Sequence, residues 1–186
     1  MKNIKEITNE IRNNIGKKYF DTAINIEKIM QMVEKNNGYV TTSEVTNNNI
    51  AREYLNIMLK NNIIERVERG MYILKDIIPD PFYIFQIKYP KTLFSHTTAL
   101  YFHKITELFP TKFDVTCSRE YSVKTMRDNS NVFYVDKNVI DVGMVELETN
   151  FGNKVRSYDI ERTMCDIIRN ENRMNEEQLY KTIRNA

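Results

Sequence analysis

The sequence has 186 residues, 28% of them charged and 11% aromatic, which are the values of an ordinary globular protein and exclude a disordered chain. That length can form one larger domain or two small ones, each with a modest core. The formal charge of +2 lies entirely in residues 1–79 and is too small to indicate nucleic acid, so any DNA binding must come from where charges sit. No apolar run approaches the ~20 residues that span a bilayer, so no membrane partner is expected. Lys2 and Lys5 are not followed by the apolar core of a targeting peptide. Cys117 and Cys165 are far apart, without metal-ligand spacing. Two buried, reduced thiols in a cytoplasmic protein are the expectation.

Ile4, Ile7, Ile11 and Ile15 recur at near-helical spacing and predict an amphipathic helix over 3–15, whose apolar stripe needs a partner such as a second subunit. Asp21 and Thr22 are placed to cap a helix over 22–36 that buries Ile26, Ile29, Met30 and Val33 and stops at Asn36-Asn37-Gly38. Gly38-Tyr39-Val40 leads on, readable as a short strand. A short helix follows at Thr42-Ser43-Glu44-Val45, then a polar break at Asn47-Asn48-Asn49. A longer helix runs from Ile50 to Asn61. A hairpin closes the run, with Ile63–Val67, a tip at Glu68-Arg69-Gly70, and Met71–Leu74. This order is that of a winged helix-turn-helix.

On the helix from Ile50, the residues Ile50, Tyr54, Leu55, Met58 and Leu59 share one face, which is expected to pack inward. The opposite face carries Asn49, Arg52, Glu53, Asn56 and Lys60, with Asn48 just before it, over about 18 Å. Asn and Arg can bond adenine and guanine edges bidentately, each good pair giving roughly 1–3 kcal/mol of discrimination. Thr42 and Ser43 could cap the preceding helix and donate to a phosphate. Arg66 and Arg69 flank a tip at which Gly70 supplies positive φ. The bland alternative is that surface helices are polar outside as a rule, and that winged helices also dock proteins.

Asp76-Ile-Ile-Pro-Asp-Pro81 is the expected domain boundary, dividing the chain into 1–78 and 79–186. Beyond it, Ser95 is placed to cap a helix to about Lys104. Phe113–Cys117, Val132–Val135, Val142–Thr149 and Val155–Tyr158 read as strands, with a turn at Phe151-Gly152-Asn153. Asp159 is placed to cap a helix to Arg169, burying Ile160, Met164, Ile167 and Ile168, and 175–184 reads as a last helix. The fold class is α+β, a winged helix-turn-helix followed by a small α+β domain with a mostly antiparallel sheet.

Chemistry in the second half is sparse. His96 and His103 are two helical turns apart, too far to hold one metal together, and no triad, phosphate loop or Cys-x-x-Cys is present. No enzyme activity and no cofactor or metal is expected. Asp114, Glu146 and Glu148 on neighbouring predicted strands invite comparison with metal-dependent nucleases, but the Glu-x-Lys pairing of such sites is missing. Arg162, Asp166 and Arg169 form an opposite-charge ladder, which as an exposed ladder contributes only ~0.2–0.5 kcal/mol per pair. Partly buried, it would fix the helix or meet a partner.

Three segments together resemble the AbiEi antitoxins of bacterial abortive-infection toxin–antitoxin operons. They are the wing Ile63-Ile64-Glu65-Arg66-Val67-Glu68-Arg69-Gly70-Met71-Tyr72, the Ser95-His96-x-x-Ala99 segment with Leu108-Phe109-Pro110, and Glu161-Arg162-Thr163-x-x-Asp166. Their order covers roughly residues 25–170. The resemblance implies an N-terminal winged helix that represses its own promoter, expected at repeats in double-stranded DNA, and a C-terminal antitoxin domain. It further implies a cognate AbiEii-type nucleotidyltransferase toxin, counteracted functionally and not necessarily through a stable complex. A docking module without DNA binding is the alternative, with a nuclease-like domain the remote one.

Overall fold

The computed structural model describes residues 20–121 and 124–173. The helices expected over 3–15 and 175–184, and the self-association assigned to the first, lie outside the described residues. The chain divides into two compact units between Pro79 and Asp80, and both helices and sheets are present, so the protein is α+β.

In the first unit, helix α1 (Phe20–Lys35) buries Ile26, Ile29, Met30 and Val33. Asp21 and Thr22 are helical residues within it and not its cap. Its end is a left-handed turn, with φ of 52° at Asn37 and 96° at Gly38, and Gly38 N–H donates to Val33 C=O at 2.7 Å. Strand β1 (Tyr39–Thr41) follows, then α2 (Thr42–Asn47), α3 (Glu53–Lys60), β2 (Ile64–Glu68) and β3 (Met71–Leu74). The strands form a three-stranded antiparallel sheet in the order β1-β3-β2, so the expected strand at Tyr39-Val40 pairs with the hairpin. Val40, Val45, Ile50, Leu55, Met58, Ile64 and Leu74 join the α1 residues in one apolar core.

The second unit opens with a helix that periodicity does not predict, α4 (Pro81–Lys88). Asp80 caps it, its Oδ1 accepting from the N–H of Phe82 at 3.0 Å and of Tyr83 at 3.2 Å, and Pro81 takes the first helical position. Then come β4 (Thr92–Phe94), α5 (His96–Phe102), β5 (Phe113–Ser118), the short α6 (Met126–Asn129), β6 (Ser130–Val135), β7 (Met144–Glu148), β8 (Lys154–Tyr158) and α7 (Ile160–Arg169). A 3-10 turn at Glu171–Arg173 closes the described chain. Phe82 lies at the centre of an aromatic core, with its ring 4.8 to 5.7 Å from those of Phe94, Tyr101, Phe102, Phe109 and Phe113.

The five-stranded sheet has the order β6-β5-β4-β8-β7 and is mixed, not mostly antiparallel as the strand pattern suggests. β4–β5 and β7–β8 are antiparallel, whereas β4–β8 and β5–β6 are parallel. The physical reason is connection length. Arg119 to Asn129, carrying α6, is long enough for a crossover, and β4 and β8 are joined through half the unit. Helix α7 also faces differently from expectation. Its buried residues are Thr163, Asp166 and Ile167, while Ile160 is 41% exposed and Ile168 60%. Cys117 is buried, but Cys165 on the outer side of α7 is exposed, against the expected two buried thiols.

Candidate nucleic-acid interface

The helix pair is built by local capping. Thr41, not Thr42 or Ser43, caps α2. Glu44 N–H donates to Thr41 Oγ1 at 3.2 Å and Thr41 N–H donates to Glu44 Oε2 at 2.9 Å, a reciprocal capping box. The Glu44 carboxylate is held further by Asn36 Nδ2 at 2.6 Å, which joins the end of α1 to the start of α2. The Thr-x-x-Glu spacing at 41–44 carries this signal in the sequence.

The turn between α2 and α3 is tight. Asn49 adopts φ 57°, a conformation that asparagine tolerates, and Ile50 N–H reaches back to Val45 C=O at 3.1 Å, dropping Ile50 into the core. The second helix therefore starts only after Arg52 and is about 12 Å long, not 18 Å. Leu55 and Met58 are buried, Tyr54 and Leu59 half-buried, and Asn48, Asn49, Arg52, Glu53, Asn56 and Lys60 all stand exposed. Arg52, Asn56 and Lys60 succeed one another at four-residue intervals and so share one helix face.

The hairpin is tied to this pair at its tip. Gly70 takes φ 76° and its carbonyl accepts from Thr42 N–H at 2.8 Å. Thr42 N–H is thereby engaged and its hydroxyl lies beside Gly70, whereas the Ser43 side chain is exposed. Register shifts between Arg66 and Glu68, a bulge at Val67 that sharpens the local twist. Arg69 is exposed at the tip. Arg66 is exposed on β2 with its guanidinium 5.8 Å from the Tyr72 ring centroid across the strand pair. Lys75, just past β3, is a further exposed cation that no sequence motif marks.

The second unit treats its motif residues differently. Ser95 precedes α5 without a side-chain cap bond. Its Oγ accepts from Thr116 Oγ1 at 2.9 Å and lies 2.9 Å from His96 Nδ1. His96 is buried with φ 47°, stacked on Phe133 at 3.6 Å, and its Nε2 is 3.3 Å from the amide of Asn170 at the end of α7. His103 Nε2 donates to Tyr158 C=O at 2.8 Å, so the two histidines serve separate contacts. Ala99 is fully buried.

Asp114 performs the capping expected of Ser95. Its carboxylate accepts from Thr97 N–H at 3.1 Å, from the Thr97 hydroxyl, and from Asn131 Nδ2 at 2.8 Å. Glu146 and Glu148 lie exposed on β7, with β4 and β8 between that strand and β5, so the three carboxylates are not brought together. No group of three or more His, Cys, Asp or Glu among the described residues is placed to hold a metal ion. No helix among them is long and apolar enough to cross a membrane.

On α7, Arg162 and Asp166 form a salt bridge at 2.8 Å with side chains only 11% and 4% exposed. Arg162 Nη1 also donates to the carbonyls of Val139 and Val142 at 3.0 and 2.9 Å, and the guanidinium lies 4.6 Å from the Tyr158 ring centroid. Burial pushes the Tyr158 phenol well above its usual pKa, with the Arg162 charge opposing. Thr163 is buried with its hydroxyl unpartnered. Only Glu161 and Arg169 of this motif are exposed, Arg169 still reaching Asp166 at 3.0 Å.

With the geometry in place, comparison with known proteins gives one family. Residues 27–75 match the family described as transcriptional regulator, AbiEi antitoxin, a span from within α1 to just past β3 that contains every residue of the candidate interface. The resemblance carried by the wing and its flanks is borne out over that span. No curated protein matches the chain.

Proposed function

We propose that the first unit is a winged helix-turn-helix that binds double-stranded DNA at its own promoter and represses it. In this reading α3 lies in the major groove, with Asn49, Arg52 and Asn56 meeting base edges. Lys60, Ser43 and Asn48 meet phosphates, and Arg69 at the hairpin tip, with Arg66 behind it, enters the adjacent minor groove or pairs with its backbone. The second unit acts as the antitoxin that counteracts a nucleotidyltransferase toxin in the cytoplasm. The observation that carries the DNA assignment is the exposure of Arg52, Asn56 and Lys60 on one face of α3 and of Asn49 in the turn before it, within a segment matching a family of transcriptional regulators.

The latch from Thr42 N–H to Gly70 C=O supports it further, because it fixes the hairpin tip against the start of α2. A preformed pair of contact elements loses less entropy on binding. Mobility-shift titration on the promoter tests the assignment. Arg52→Ala with Asn56→Ala is expected to relax base preference. Arg66→Ala or Arg69→Ala is expected to weaken binding to all sequences and to lower the salt slope by about one for each phosphate no longer neutralised. Promoter affinity, base preference and salt slope unchanged in all three variants would refute it.

A further inference from the structure

Helix α7 carries two rows at four-residue spacing on its exposed side. One row is Ile160, Met164 and Ile168, of which the outer two are exposed and Met164 half-buried. The other is Glu161, Cys165 and Arg169, all exposed. A ten-residue helix that buries Thr163, Asp166 and Ile167 on its inner side thus leaves its most apolar row facing outward.

Further exposed apolar side chains lie on a segment at the start of the helix. Arg162 binds the carbonyls of Val139 and Val142, and Asp159 N–H donates to Gly143 C=O at 2.8 Å, so the 139–143 loop lies beside the start of α7. Met144 is directly opposite Tyr158 in the β7–β8 ladder and so projects to the same side of the sheet as that ring, on which Arg162 rests. Of the eight exposed large hydrophobic side chains described in the second unit, two lie on α7 (Ile160 and Ile168) and three on the segment at its start (Val139, Val142 and Met144). Scattered exposed apolar residues are ordinary, but an apolar row along one helix beside a charged row offers a contact surface.

The order of residues along the second row identifies the occupant. In an antiparallel helix pair related by a two-fold axis, the same flank of each helix meets itself in reverse. With the axis near Met164 and Cys165, Ile160 meets Ile168 of the other copy and Met164 meets Met164. On the flank, Glu161 meets Arg169 and Cys165 meets Cys165. Reversal converts the charge order acidic-neutral-basic into its own complement, so the face fits a second copy of itself. We infer that this chain self-associates through α7 as a two-fold antiparallel helix pair, with Ile160, Met164 and Ile168 at the contact and Glu161–Arg169 ion pairs at its edge.

The helix is about 15 Å long, and alone it falls short of the ~800 Å² per partner of a standard stable interface. The association is therefore concentration-dependent, not obligate. It is independent of the DNA-binding reading, since it is measured on the full chain without DNA.

Sedimentation equilibrium of the full chain is expected to show monomer and dimer exchanging with concentration. Ile168→Asp, at a position 60% exposed in the monomer, should weaken the dimer about tenfold or more while leaving the far-UV spectrum unchanged. Glu161→Lys and Arg169→Glu each place like charges across the axis and should weaken it separately. An equimolar mixture of those two variants should regain dimer, because each then faces its opposite. A short bis-maleimide should link two chains through Cys165, the exposed thiol, and Cys165→Ser should abolish the product. A monomer at every concentration overturns the inference. So does a dimer indifferent to these substitutions, a mixture that does no better than its parts, or a dimer that Cys165 does not crosslink.

Discussion

The two units use the same side-chain chemistry for opposite ends. In the first, Asn49, Arg52, Asn56, Lys60 and Arg69 stand in solvent, while the structural polar work falls to a few capping atoms on Thr41, Glu44 and Asn36. In the second, Asp80, Asp114, His96 and Asp166 are buried and bonded, Arg162 nearly so, and the carboxylates cap helices or anchor turns. A charged or amide residue within a family motif is therefore not by itself a binding residue. Where its hydrogen bonds end decides between recognition and architecture.

Substitutions can separate the two uses, and the largest effect should come from α7. Arg162→Ala leaves Asp166 buried with a weakened partner set and frees two loop carbonyls, an expected loss of about 3–5 kcal/mol in denaturant unfolding of the second unit. The DNA binding proposed for the first unit should be unaffected. Asp80→Ala comes next. Asp80 Oδ2 accepts from Thr149 Oγ1 at 2.6 Å and Asn153 Nδ2 at 2.8 Å, while Oδ1 caps α4, so it pins the 149–153 turn to the start of the unit. A loss of about 2–3 kcal/mol is expected by the same measurement, less than the sum of its bonds because they act as one network.

The converse holds for the interface. Arg52→Ala with Asn56→Ala should change stability by no more than about 0.5 kcal/mol, since both side chains are exposed. If that pair instead unfolds the first unit, the contrast between the halves is wrong. The smallest effect concerns Cys117, whose thiol burial raises to about 11, with the Arg127 charge opposing. The fold favours the protonated thiol, so this contribution is lost as pH climbs from the free-thiol range of about 8.5 toward 11. At pH 8 a thiol reagent should label Cys165 quickly and Cys117 only after unfolding.

Much of the first unit is legible in the sequence because its signals are local. The Asn36-Asn37-Gly38 stop, the Asn47–Asn49 break and the Gly70 tip each act within a few residues, and all three appear in the structure. The second unit depends on contacts distant in sequence. Helix α4 is apolar on every side, Phe82, Ile84, Phe85 and Ile87 leaving no stripe to read, and its only signal is the Asp80-Pro81 start. Parallel pairing of β5 with β6 and β4 with β8 leaves no trace in strand alternation. Hydrophobicity weighed alone gives the wrong facing for α7. The Arg162–Asp166 pair, held over Tyr158 and two loop carbonyls, turns the helix so that Ile160 and Ile168 lie outside.

The outer strand β7 has a further consequence. A terminal strand offers unpaired backbone donors and acceptors to any passing chain. On β7 the exposed positions Glu146 and Glu148 lie opposite Arg156 and Lys154 of β8, so beyond Met144 its solvent side carries two carboxylates facing cations. A foreign strand zipping onto that margin would have to desolvate those two acids. The sheet is thereby guarded against runaway polymerisation at the very border where its ladder stops.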